Sequence, residues 1–159
     1  GSGSAGNGCL ALVLPVYVFA RKHNLQPRRL VKAFCQISHA HGEALRASNF
    51  LCHVFEVHDG VKESLPFEEL PSALREYVGQ SHWQLDPSGF VSRYPHNALA
   101  PEAVAYALYT VQNSKREEDV IALTVSLGGD VDSTLALALM LYKIVTRESL
   151  EACLERCRQ

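Results

Sequence analysis

Apolar residues recur at helical spacing along most of the chain, and strict alternation of apolar and polar positions is scarce. The first apolar run, residues 9–20, closes on Arg21-Lys22 and predicts a buried helix over residues 8–23, bent or started late by Pro15. Asn24-Leu25-Gln26-Pro27 breaks it. Pro27 suits the first turn of a second helix ending near His39, with Leu30, Val31, Phe34 and Ile37 at helical spacing. A short break, Ser38-His39-Ala40-His41-Gly42, leads into a third helix through about Val57. Its apolar face is Ala44, Leu45, Phe50, Leu51, Val54 and Phe55, and His58-Asp59-Gly60 is its stop signal.

A weaker amphipathic helix follows over residues 66–78, interrupted or restarted by Pro71. Residues 79–97, with Pro87, Gly89 and Pro95, read as loop. Helices are then predicted over residues 98–113, 117–127, 134–145 and 147–158. The one starting at Thr134 is nearly all apolar, which predicts burial. The last carries Glu148 and Glu151 early and Arg156 and Arg158 late, as the helix dipole favours. No internal repeat is visible. The reading is all-α: a single-domain, multi-helix bundle over residues 1–159.

Composition narrows the class. A chain of 159 residues with 47% apolar and 20% charged positions can bury a core and carries no signature of disorder. A net charge of −2 argues against nucleic acid or an anionic membrane as the main partner. The 9–20 run is too short to span a bilayer. Cys9, Cys35, Cys52, Cys153 and Cys157 are odd in number and include no C-x-x-C pair, so they read as reduced thiols of a cytoplasmic protein. Cys153 and Cys157 stand at i, i+4 and could hold a metal. With no third ligand evident nearby, they read as packing thiols.

Three segments carry candidate chemistry. Gly3-Ser4-Ala5-Gly6-Asn7-Gly8 exposes backbone N–H groups before a helix, with Ser4 and Asn7 as added donors, which favours phosphate; a Gly-Ser tag, Gly1-Ser2-Gly3-Ser4, looks the same. Ser38-His39-Ala40-His41 places two imidazoles in a helix break, where they could bind metal, contact phosphate or cap helix ends; hydrogen bonding is the expected role. Gly128-Gly129-Asp130-Val131-Asp132-Ser133-Thr134 puts hard oxygen donors on a tight turn. Asp130, Asp132 and Ser133 suit Mg²⁺ or Mn²⁺. Helix capping explains one of the three residues, but not both carboxylates beside a double glycine.

In this order the three segments resemble the motifs of the ADP-ribosylglycohydrolases: G-x-x-G-N-G, a T-H-x-H-like segment, and G-G-D-x-D-T opening a helix. The resemblance implies an all-α hydrolase with paired Mg²⁺ or Mn²⁺ ions, cleaving ADP-ribose from modified proteins. Asp130, Asp132 and Ser133 would match half of the metal ligands. Gly3, Ser4, Gly6, Asn7 and Gly8 would match the phosphate loop, with His39, Gly128 and Gly129 near the ligand. The family's T-D-D motif is absent, Leu10-Ala11 or Leu12 stands where Met-Arg is usual, and Leu141-Tyr142-Lys143 replaces a G-A-x-x-G pattern. The chain therefore resembles the C-terminal half of a family member, and the expectation is a truncated chain, inactive by itself, completed by a homodimer or a partner chain. The alternative is a non-catalytic ADP-ribose binder, or a packing protein as in the jellyfish crystallins.

Overall fold

The computed structural model describes residues 3–158; Gly1 and Ser2 of the Gly-Ser run lie outside the described residues. Among the described residues, nine α-helices follow one another: α1 (Val13–Lys22), α2 (Pro27–Gln36), α3 (Gly42–His58), α4 (Ser72–Gly79), α5 (Pro87–Arg93), α6 (Ala100–Gln112), α7 (Glu117–Leu127), α8 (Val131–Ile144) and α9 (Arg147–Arg156). Among the described residues there is no strand, and the all-α expectation holds. Among the described residues, no helix is long and apolar enough to cross a membrane.

Two helices form the centre. From Ala100 to Val111, every residue of α6 except Glu102 is buried. Alanines at 100, 103, 105 and 107 keep this helix thin, so that α3, α4, α7 and α8 can all approach it. In α3 the run from Phe50 to Val57 is buried, and the helix meets α1, α2, α6 and α9. A helix apolar on all sides belongs inside a domain, and α6 fits that rule; α3 reaches the centre through its C-terminal half, where His53 and Glu56 are buried among apolar residues.

Several boundaries differ from those the sequence predicts. Residues Asn7–Leu12 form a 3₁₀ segment, and α1 begins only at Val13, which puts Pro15 in its first turn, where a missing N–H costs nothing. The second helix ends at Gln36; only Val31 and Cys35 of α2 are buried, while Phe34 and Ile37 are exposed. The stretch 79–97 is not plain loop. It holds a 3₁₀ turn, His82–Gln84, and α5, whose first residue is Pro87 after the N-cap Asp86. Finally, α8 is not buried all round: Thr134, Leu137, Ala138 and Leu141 face inward, whereas Ala136 and Ile144 are exposed. It lies against α6 and α7, and these cover one side of it.

One polar pin joins distant helix starts. The Glu43 carboxylate of α3 accepts from both the backbone N–H and the hydroxyl of Ser72, each at 2.7 Å, and so caps α4 from outside. Burial pushes this carboxyl up, but the two Ser72 bonds and Arg46 outweigh that and hold it below its ordinary 4.5. A depressed folded pKa means stability that is present above the unfolded value and lost as pH falls. Glu43→Gln is therefore expected to cost about 1 kcal/mol at neutral pH. The gap to wild type in urea midpoint should close as pH drops below about 4.5; a gap that stays constant would remove the assignment.

Candidate functional site

The site begins with a backbone turn. Gly128 (φ +73°) and Gly129 (φ +77°) both lie in the left-handed region, which carries the chain from α7 into α8. Gly129 has a second constraint: a Cβ built on it would lie 2.7 Å from the Cβ of His96. The turn thus admits the 94–99 segment at a distance that no side chain allows.

Asp130 takes the N-cap position of α8, yet its side chain makes no capping hydrogen bond. Its Oδ2 accepts instead from Asn7 Nδ2 at 2.6 Å, across 123 positions of sequence. That amide is the main influence holding the Asp130 carboxyl below its ordinary 3.8, against a weaker upward push from burial. The glycine loop is fixed from the other side as well. Asn7 N–H donates to the Ala98 carbonyl at 3.1 Å, and Ala100 N–H donates to the Ala5 carbonyl at 2.9 Å. Ala98 itself adopts φ +58°, strained for a residue with a Cβ, at the centre of this exchange.

Gly6 and Gly8 serve close approach, not unusual dihedrals, whereas a Cβ on Gly3 would meet nothing within 4 Å. A Cβ on Gly8 would lie 3.3 Å from the His39 ring, and one on Gly6 would lie 3.4 Å from Ser4 Oγ. Gly3 bridges to His39. The donors expected for an anion are partly engaged, since Gly6 N–H donates to Ser4 Oγ at 3.3 Å and the Asn7 amide is held by Asp130. His39 Nδ1 pairs with Ser38 Oγ at 2.8 Å, so the ring lies under Gly8 as a shaped support. His41 is elsewhere: its Nδ1 accepts from Glu43 N–H at 3.2 Å and caps α3.

His96 escaped the sequence reading. Its Nδ1 accepts from Ala98 N–H at 3.1 Å, which places the ring proton on Nε2, 2.8 Å from the hydroxyl of the fully buried Thr134. Burial lowers its pKa below the ordinary 6.5, against the opposing pull of Glu102 and Asp130, and favours the neutral ring. The only local signal was Gly129, which marks a close approach without naming its partner.

Asn7, Gly8, Leu10, Asp132, Ser133 and Met140 line a cleft of about 440 Å³. Asp132 and Ser133 are exposed in the first turn of α8, and Asp130 is half-buried beside them. Among the described residues, no ion pair with Lys, Arg or His involves Asp130 or Asp132. Nor does a third His, Cys, Asp or Glu join the two in a common ligand set. Polar and carboxylate groups thus occupy one wall of an otherwise apolar cleft.

A profile of the ADP-ribosylglycohydrolases matches residues 1–142. The chain belongs to the ADP-ribosylglycohydrolase family. Nothing among curated proteins or solved structures matches it. All the residues singled out above, from Gly3 to Ser133, fall inside the matched span, whereas α9 lies beyond it. The family acts on ADP-ribosylated substrates and is generally metal-dependent. The residues present fit a hard divalent ion in part: two carboxylates and a hydroxyl at one helix start, with no ion-pair partner for either carboxylate among the described residues.

Proposed function

We propose that this chain carries one wall of a metal-dependent ADP-ribosylglycohydrolase site. The observation that carries the reading is the 2.6 Å bond from Asn7 to Asp130, which joins the glycine loop to the acidic turn beside one cleft. Asp130, Asp132 and Ser133 would hold a Mg²⁺ or Mn²⁺ ion. Bound there, the ion supplies Lewis-acid and template chemistry for attack of water on the glycosidic bond to ribose. Asn7 keeps the Asp130 carboxylate oriented, and the loop around Gly6 and Gly8 shapes the seat for ADP-ribose phosphates, with His39 beneath it and Gly128 and Gly129 beside it. These side chains provide at most a few of the six oxygens that Mg²⁺ takes, so turnover needs further ligands from water, substrate or another polypeptide segment.

The test is thermal unfolding with Mg²⁺ or Mn²⁺, with and without ADP-ribose. A ligand at about 100 times its Kd adds about 2.7 kcal/mol of stability, which raises Tm measurably. Asp130→Ala and Asp132→Ala should each remove the metal-dependent rise, and Asn7→Ala should weaken it. An unchanged metal response in both aspartate variants would refute the reading. The absence of a third acidic ligand among the described residues favours a second reading, ADP-ribose binding without turnover. Calorimetric heat on adding ADP-ribose, with no ADP-ribose released from a modified protein, would select it.

A further inference from the structure

Where α9 packs on α3, three buried side chains converge: His53, Cys153 and Cys157, with exposures of 0%, 0% and 1%. One ligand atom from each lies within 4.8 Å of the others. His53 Nε2 is fully buried without a hydrogen-bond partner. A buried nitrogen with no partner needs a reason, because leaving it unmade costs free energy. The i, i+4 thiols, which read from sequence as packing groups for want of a third ligand, acquire that ligand from His53, 100 positions before Cys153 and 104 before Cys157.

We propose that His53 Nε2, Cys153 Sγ and Cys157 Sγ form a site for one soft divalent ion of the Zn²⁺ class. Two thiolates and a neutral imidazole balance a dication, so the loaded site is electrically neutral, as burial demands. Three protein ligands leave the fourth tetrahedral position to water. Loading releases the two thiol protons and moves the imidazole proton. In the structure Arg28 Nη2 donates to His53 Nδ1 at 2.8 Å, so the neutral ring carries its proton on Nε2. With metal on Nε2 the proton sits on Nδ1, so the Arg28 Nη2 donor must withdraw from that nitrogen, and the Glu56 carboxylate, 3.8 Å away, closes in as its acceptor. Arg28 retains its own bond to Glu56, Nε to Oε2 at 2.6 Å. Carboxylate–histidine–metal is the usual order of such shells. The site is separate from Asp130 and Asp132, and α9 lies beyond the span that matches the family.

The experiment is titration of the reduced full chain with Zn²⁺ against a chromophoric chelator, paired with Co²⁺ spectroscopy. Wild type should take up one equivalent, show a thiolate-to-cobalt charge-transfer band and gain Tm. Cys157→Ser and His53→Gln should weaken binding on the order of 100-fold or more, since each deletes a ligand. Glu56→Gln should weaken it roughly 10- to 100-fold. Cys9→Ser, which removes a buried thiol outside the cluster, should leave it unchanged. If a ligand variant fails to fold, the wild-type cobalt band alone reads thiolate coordination. Absence of that band in the reduced protein, a Cys153–Cys157 disulfide in place of bound metal, or binding that survives Cys157→Ser unchanged would each overturn the proposal.

Discussion

Gly129→Ala is expected to lower the unfolding free energy by about 2–6 kcal/mol, a large share of the roughly 5–15 kcal/mol that holds a domain of this size. Two separate costs add. An alanine held at φ +77° stores about 1–3 kcal/mol of backbone strain. Its Cβ would also sit 2.7 Å from His96 Cβ and 2.8 Å from His96 Cγ, and such overpacking adds about 1–3 kcal/mol. The clash falls on the root of the His96 side chain, which no rotamer change can withdraw. Relief requires the 94–99 segment to move, and with it the His96 bond to Thr134 and the Ala98 carbonyl that holds Asn7. Gly128→Ala is the matched control. Its φ is +73°, but nothing lies within 4 Å of the added carbon, so only the strain remains. Urea unfolding of the two variants separates the effects. Equal losses would mean that His96 yields freely and that the close approach does not organise the site.

The helices that the sequence pattern predicts well are those with one dominant periodicity. In α3, the expected inward residues Ala44, Phe50, Leu51, Val54 and Phe55 are buried, and Leu45 is half-buried. The acidic turn was legible because glycines, carboxylates and a following helix are local signals, and the family match covers it. What failed was long-range. That α6, not α8, takes the centre depends on alanine spacing against four neighbours, which no single-helix pattern reports. The Asn7–Asp130 bond, the seat of His96 on Gly129 and the approach of His53 to Cys153 and Cys157 all join distant parts of the chain. Phe34 and Ile37 show the reverse error: apolar residues at helical spacing that nevertheless face out.

Phe90→Ala is expected to cost about 3–5 kcal/mol, the range for emptying a buried aromatic site. Phe90 belongs to the stretch that reads as loop, because Pro87 and Gly89 flank it within three positions. Both residues have structural roles instead: Pro87 starts α5, and a side chain on Gly89 would meet Asp86 Oδ1 at 2.8 Å. The helix so formed drives Phe90 to zero exposure among tyrosines. Its ring stacks on Tyr109 at 4.0 Å and meets Tyr106 and Tyr94 at 5.0 Å each. Tyr106 in turn packs edge-on against His96 at 4.6 Å, and its hydroxyl donates to the Tyr94 carbonyl at 2.6 Å. The aromatic cluster is therefore the floor beneath the segment that presents His96 to Gly129. Tyr109→Phe deletes only the hydroxyl bond to the Leu85 carbonyl, 2.7 Å long, and should cost about 1 kcal/mol. Equilibrium urea unfolding gives both values, and the His96 ring resonances in NMR report the site directly. Phe90→Ala should shift those resonances while Tyr109→Phe leaves them close to wild type. A Phe90→Ala loss below about 1 kcal/mol, with unmoved His96 signals, would show that α5 rests on the domain without supporting the site.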